Sequence, residues 1–250
     1  MTCLLEVERV SAAYGKLTVV QGLSLEVKAG EVHAILGANG AGKTSLLRAI
    51  SGFGFGVPGT IVEGRIRFDR SDVTEVAPAA KSRLGIRIIP EQVSVFLPMT
   101  VSENLRLSRS RGAKRRGDQA ELFSALSDLF PVLSERRHER AGLLSGGERQ
   151  MLGISMALLE MPRLLLIDEA SIGLSPSAVR SVFDALRELR DRFHLTMLVA
   201  EQNLEAALML SDYVHVMRAG SIVYESRMSK DVSRRCLYGL MTGEQVLSES

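Results

Sequence analysis

The sequence is poor in the features that mark secreted, membrane-spanning or nucleic-acid-binding chains. Its 250 residues include two cysteines, Cys3 and Cys236, near opposite ends. They match no metal-ligand spacing and read as unpaired thiols of a reducing compartment. No run of about 18 apolar residues occurs, the length a membrane-crossing helix needs. The nearest approach, Met151 to Ile167, is broken by Glu160, Pro162 and Arg163. No succession of basic residues, apolar run and cleavage site marks the N-terminus as a secretory signal. The net charge of +2 is too small to argue for a nucleic-acid partner. Internal repeats and low-complexity tracts are also lacking.

What is present is an ordinary globular composition, 46% hydrophobic and 24% charged, in a length that suits one α/β domain with one sizeable core. Leu4–Val10 and Leu23–Val27 alternate apolar and polar residues, as half-buried strands do. Glu31–Leu36 runs into a glycine loop, and Thr44–Ile50 is helical until Ser51-Gly52 stops it. Phe53–Gly64 reads as loop, after which Gly64–Asp69 resumes alternation. From about Val101 to Leu159 the pattern is helical. Leu122, Leu126, Leu129 and Leu133 form one apolar stripe, which reads first as an ordinary core-facing helix and second as a docking face. Arg163–Ile167 and Thr196–Ala200 suit buried parallel strands, separated by an amphipathic helix over Ala178–Arg192. Alternating strands and helices predict a mainly parallel α/β core. Two basic clusters, Arg109–Arg116 and Arg136–Arg140, read as solvated loop or helix ends before any lipid-facing role.

Three short segments carry chemistry. Gly37-Ala38-Asn39-Gly40-Ala41-Gly42-Lys43-Thr44 is a phosphate loop between strand and helix. Its glycines let backbone amides face phosphate oxygens, and the helix that follows presents free N–H groups to the anion. Lys43 is expected on the β- and γ-phosphates and the Thr44 hydroxyl on Mg²⁺. Asp168 and Glu169 end an apolar strand. Asp168 can hold Mg²⁺ and Glu169 can polarise an attacking water. Ser145-Gly146-Gly147, with Glu148, Arg149 and Gln150 in the next turn, opens a helix whose exposed N–H groups make a second anion site. Two such sites on one surface predict face-to-face pairing, with each ATP held between the phosphate loop of one subunit and the Ser145 segment of the other.

Over nearly its whole length, from Leu5 to about Gly239, the chain resembles the ATP-binding cassette (ABC) transporter ATPases. Leu144-Ser145-Gly146-Gly147-Glu148 is similar to their signature. Tyr14 stands where they stack an aromatic ring on adenine, and Ser45 extends the nucleotide-binding set. The closest likeness is to the LivF type, ATPases of importers for branched-chain amino acids, through the phosphate loop, Pro90-Glu91, Gln150-Met151-Leu152 and Glu201-Gln202-Asn203. The resemblance implies a P-loop, RecA-like α/β core with an N-terminal antiparallel β region and a helical subdomain at about residues 95–160, all within one domain, 1–250. It implies an ATP hydrolase using Mg²⁺ at the cytoplasmic face of the membrane. Its partners would be a second ABC ATPase, two permeases that supply the channel, and indirectly a periplasmic solute-binding protein. Coupling would run through Glu91–Met99 and the helices beyond.

Against the wider ABC pattern, Glu91 replaces the Q-loop glutamine, with Gln92 as an alternative sensor. Gln202 replaces the switch histidine and Ser175 the D-loop aspartate. An amide donates a hydrogen bond to γ-phosphate but carries no proton charge. Ala170 stands where proline follows the catalytic acid, and Arg149 where this subgroup has glutamine. ATPases of exporters or lipopolysaccharide-extraction systems share the fold and are set aside by the LivF-like phrases. Non-transport ABC proteins are set aside by the single compact cassette.

Overall fold

The computed structural model describes residues 2–53, 60–92, 95–108, 116–229 and 232–243. The N-terminal half of the chain builds an antiparallel sheet. Strands β1 (Cys3–Tyr14) and β2 (Leu17–Lys28) form a hairpin, with Tyr14 opposite Leu17 and Gly15 at φ 60° in the tight turn between them. The left-handed region costs glycine little, which is why it sits there. Strands β4 (Thr60–Phe68) and β5 (Ser71–Asp72) extend the sheet in the order β2-β1-β4-β5. Alternation buries Leu5, Val7, Val10 and Ala12 from β1 against Leu23, Leu25 and Val27 from β2. The same register leaves the intervening polar residues at the surface.

The second sheet has six strands: β3 (Val32–Leu36), β6 (Ile86–Ile89), β7 (Leu164–Asp168), β8 (Met197–Glu201), β9 (Tyr213–Arg218) and β10 (Ser221–Arg227). Its order is β10-β9-β3-β8-β7-β6, with every pair parallel except β10 with β9. All residues of β3, β7 and β8 are buried, as continuous apolar runs require when both faces of a sheet are covered. The carboxyl ends of β3, β7 and β8 lie side by side, where open α/β sheets bind ligands.

Helix α1 (Lys43–Ser51) follows β3 and ends at Gly52, whose φ of 74° is the left-handed conformation of a glycine stop. The buried Lys81, on α2 (Pro78–Leu84), donates to the Ala49 and Ile50 carbonyls at 3.3 and 3.0 Å. A cation there complements the negative end of the α1 dipole. Helices α3 (Val101–Leu107), α4 (Arg116–Leu129), α5 (Pro131–Glu135) and α6 (Gly146–Leu159) form the helical region. Helices α7 (Pro176–Phe193), α8 (Leu204–Leu208) and α9 (Arg234–Thr242) complete the chain. The α7 face carrying Val182, Phe183, Leu186 and Leu189 is buried.

Three sequence expectations change. Phe53–Gly64 is not all loop: β4 begins at Thr60 and pairs with Tyr14, because β1 offers an unpaired edge that overrides the glycine-rich composition. The stripe from Leu122 to Leu133 spans two helices rather than one, since Pro131 lacks the N–H to continue α4 and instead opens α5. Leu122, Leu126 and Leu133 are buried in the core, so the stripe is a packing surface. Arg136 is not merely solvated: it reaches Glu148 at 3.2 Å. The Arg109–Arg115 part of the other basic cluster lies outside the described residues.

Candidate functional site

The phosphate loop wraps from β3 to α1 against two neighbouring strands. A Cβ at Gly37 would stand 2.4 Å from the Met217 carbonyl oxygen, and one at Gly42 2.5 Å from that of Val19. Gly42 also has φ 105°, so glycine is required there by both space and backbone. Gly40 is left-handed as well, and Ala41 bonds back to the Ala38 carbonyl at 3.2 Å. Lys43 is buried, with Nζ 2.8 Å from the Gly37 oxygen, 3.1 Å from the Ala38 oxygen and 2.9 Å from Glu169 Oε1. The ammonium thus stays inside the loop, held by carbonyls and a carboxylate.

The β7 end brings the acids to this loop. The Thr44 hydroxyl donates to Asp168 Oδ1 at 2.9 Å. Burial raises the Asp168 pKa above the usual carboxylate value; the Thr44 hydrogen bond opposes this, and the charges of Glu169 and Glu91 add to the rise. Glu169 is itself left-handed, φ 50°, with its N–H on the Ala200 carbonyl at 2.8 Å. The turn after it is closed by the Ile172 N–H on the Glu169 carbonyl, with Ala170 buried inside.

A cleft of about 350 Å³ opens over these groups, lined by Asn39 to Ser45 with Val19, Glu91, Glu169 and Ile172. The Lys43 ammonium is paired with Glu169, Glu91 lines the same cleft, and Asp168 is bonded to Thr44. A glycine loop after β3, a lysine inside it and paired acids at the end of β7, two strands away in the sheet, can hold a nucleoside triphosphate. The ABC transporter family model matches residues 20–172. The chain belongs to the ABC transporter family.

Among relatives, it is 38% identical over 220 residues to the high-affinity branched-chain amino acid transport ATP-binding protein BraG of Pseudomonas aeruginosa, covering 88% of this chain and 91% of that one. It is 32% identical to the probable branched-chain amino acid transport ATP-binding protein LivF of Archaeoglobus fulgidus, with the same coverage of both chains. A solved nucleotide-free ATP-binding cassette of an ABC transporter superposes with a TM-score of 0.76 at 27% identity, covering 92% of this chain and 93% of the other. The ADP conformation of MJ1267, an ATP-binding cassette of an ABC transporter, gives 0.75 at 26% identity, with coverage of 97% and 96%. The chain is therefore a nucleotide-binding ABC ATPase with the P-loop α/β fold.

Within this ABC cassette the other expected residues are dispersed. Ser145 caps α6: its hydroxyl accepts from the Glu148 N–H at 3.3 Å, while the Glu148 carboxylate accepts from the Ser145 N–H at 2.6 Å. This reciprocal capping box takes up the serine and the acid, and leaves Gly146 and Gly147 at the helix mouth. Gly147 faces Ala178 of α7, and no residue of 144–148 lines the phosphate-loop cleft. Tyr14, Gln92 and Gln202 do not line it either; Gln92 and Gln202 are exposed. Ser175 caps α7 by accepting from the Ala178 N–H. Val19, Ile172 and Met217 border the site without any sequence signal. Val19 and Met217 are held there as Gln21 on β2 donates to Gly220, and Gly220 to Ala41, at 2.9 Å each, while Ile172 is placed by its N–H bond to the Glu169 carbonyl.

Proposed function

We propose that the chain is the ATP-hydrolysing subunit of an importer for branched-chain amino acids or a related small solute. The observation that carries the site assignment is the convergence of Lys43, Thr44 and Glu169 on one cleft, with Asp168 bonded to Thr44 and the Ser145 helix mouth outside that cleft. A lone chain would leave that second anion site without a triphosphate. Pairing with a second ABC ATPase puts each signature over the other subunit's phosphate loop. The solute class rests on the likeness to the BraG and LivF proteins.

Lys43 leaves its carbonyl partners for the β- and γ-phosphates, and the loop amides take the remaining oxygens. Thr44 Oγ1 and Asp168 fit Mg²⁺, since both are hard oxygen donors 2.9 Å apart and the ionised acid is disfavoured by burial. Among the described residues no three His, Cys, Asp or Glu side chains are grouped to hold a metal alone. Thr44 and Asp168 would therefore hold the ion together with oxygens of the nucleotide and of water. When bound, Mg²⁺ neutralises charge developing on the phosphates. Glu169 orients and polarises the attacking water. Glu91, which lines the cleft, serves as the γ-phosphate sensor, and Gln202, outside the cleft in the single chain, donates an amide hydrogen bond to that phosphate after closure.

No helix among the described residues is long and apolar enough to cross a membrane, so the channel belongs to two permease subunits. The exposed Phe96 and Leu97 belong to the coupling segment Glu91–Met99, the exposed Leu143 follows Gly142, whose N–H bonds the Leu97 carbonyl, and the three suit such a contact at the cytoplasmic face. A periplasmic binding protein delivers the solute. The test is Glu169→Gln, expected to slow ATP turnover at least about a hundredfold with ATP binding retained. Near-normal turnover would refute Glu169 as the base.

A further inference from the structure

Glu201 has no part in the chemistry above, yet it is fully buried at the β8 end of the site. Its carboxylate accepts the Ser171 N–H at 3.0 Å, the Ser171 hydroxyl at 2.6 Å and, more weakly, the Asn203 N–H at 3.4 Å. Ser171 lies two residues beyond Glu169. The Glu169 N–H is in turn fixed to Ala200, the residue before Glu201. The last two residues of β8 therefore hold the turn carrying Glu169 from both ends, one through a carbonyl and one through a carboxylate. Gln202 sits between Glu201 and Asn203, so the same carboxylate also ties down the backbone flanking Gln202.

From this geometry we infer that Glu201 is a positioning residue for ATP hydrolysis, clamping the Glu169–Ile172 turn to the Gln202 segment so that base and γ-phosphate donor keep one spacing. The inference rests on the assignment of Glu169 as the base. Glu169 needs such support because a non-glycine residue at φ 50° persists only where its surroundings over-determine it. Charge-assisted hydrogen bonds are short and strong enough to do so. Among the described residues no cation is paired with the Glu201 carboxylate. Leu36 pairs with it from β3, Glu169 repels it from the β7 end, and Lys43 is already bound to Glu169. Burial accordingly pushes the Glu201 pKa up to about 7. A residue serving stability alone would be neutral here.

The test uses the full chain with the subunits that co-purify with it, assayed at pH 8 for Mg²⁺–ATP turnover, ATP binding and thermal unfolding. Glu201→Gln keeps the shape but cannot accept all three donors. It is expected to lower kcat at least about tenfold, as misplaced catalytic groups do, with ATP Kd within about twofold and a raised unfolding midpoint. Ser171→Ala is expected to give a similar kcat loss, and the double variant no further loss. Unchanged kcat in both single variants overturns the inference. So does a parallel fall of kcat and midpoint, which marks a structural role, or full additivity in the double variant. Should Glu201→Gln fail to fold, Ser171→Ala alone decides by its kcat. Glu169→Gln separates the two readings: near-normal turnover there removes the proposed base, whereas lost turnover there with normal turnover in the clamp variants removes only the clamp.

Discussion

The pH dependence of stability offers a test of Glu201 that is independent of ATP. In the unfolded chain its carboxyl titrates near the ordinary 4.5; in the folded chain it holds its proton to about 7. Between those values the folded state binds the extra proton, so stability falls as pH rises. The window spans 4.5 to about 7, and at about 1.4 kcal/mol per pH unit the loss reaches about 3 kcal/mol. Glu201→Gln never ionises and escapes it. For a chain of this length, 1 kcal/mol moves the midpoint by about 2–4 °C. The gap between variant and parent should therefore widen by about 6–12 °C from pH 4.5 to pH 8. Differential scanning calorimetry at several pH values measures the gap directly. A constant offset from the lost hydrogen bonds does not matter, because only the change with pH is read. A gap that stays constant over this range would refute the claim that an unpaired carboxyl is buried at the end of β8.

Other outcomes follow from the same kind of reasoning. His215 is buried with Nε2 2.9 Å from His33 Nδ1, and burial followed by the His33 charge pulls its pKa down to about 3. The unfolded chain takes up that proton from about pH 6.5 downwards, so stability falls by about 1.4 kcal/mol per pH unit as pH drops toward 3. His215→Asn should remove this slope in denaturant titrations at pH 6.5 and pH 5. The slope opposes that of Glu201 between pH 4.5 and 6.5, so each is seen as a difference between variant and parent. Gly37→Ala places a Cβ 2.4 Å from the Met217 carbonyl. It is expected to destabilise the fold by about 1–3 kcal/mol and to abolish nucleotide binding, measured by thermal unfolding with and without ATP.

Much of the sheet was legible because its signals are local. The runs at β3, β7 and β8 are apolar at nearly every position, which is what two covered faces demand. The α1 stop at Ser51-Gly52 follows from the glycine's freedom at positive φ, and the capping of α6 from a serine with an acid three residues on. Elsewhere the local signal misled. The glycines of residues 54–64 concealed the strand from Thr60, since pairing with the β1 edge outweighs propensity. The leucine period ran through Pro131, where the missing N–H divides the helix.

The candidate site divides along the same line. Phosphate loop, signature and paired acids could be read from residue types and order alone, because each is a contiguous segment whose backbone and side chains set its chemistry. Those segments carried the resemblance to the ABC ATPases, which the family match over residues 20–172 bears out. What residue order left open, and the folding of the chain settled, is which distant groups meet: Val19 and Met217 against the loop glycines, Glu91 in the same cleft as Lys43, and Glu201 hydrogen-bonded to Ser171. The contacts of Val19, Met217 and Glu201 join residues 23 to 180 positions apart, and they are made by the pairing of β9 with β3, the approach of β2 to the loop, and the register of β8 against β7. No local pattern encodes that register, which arises when the strands bury their apolar faces together.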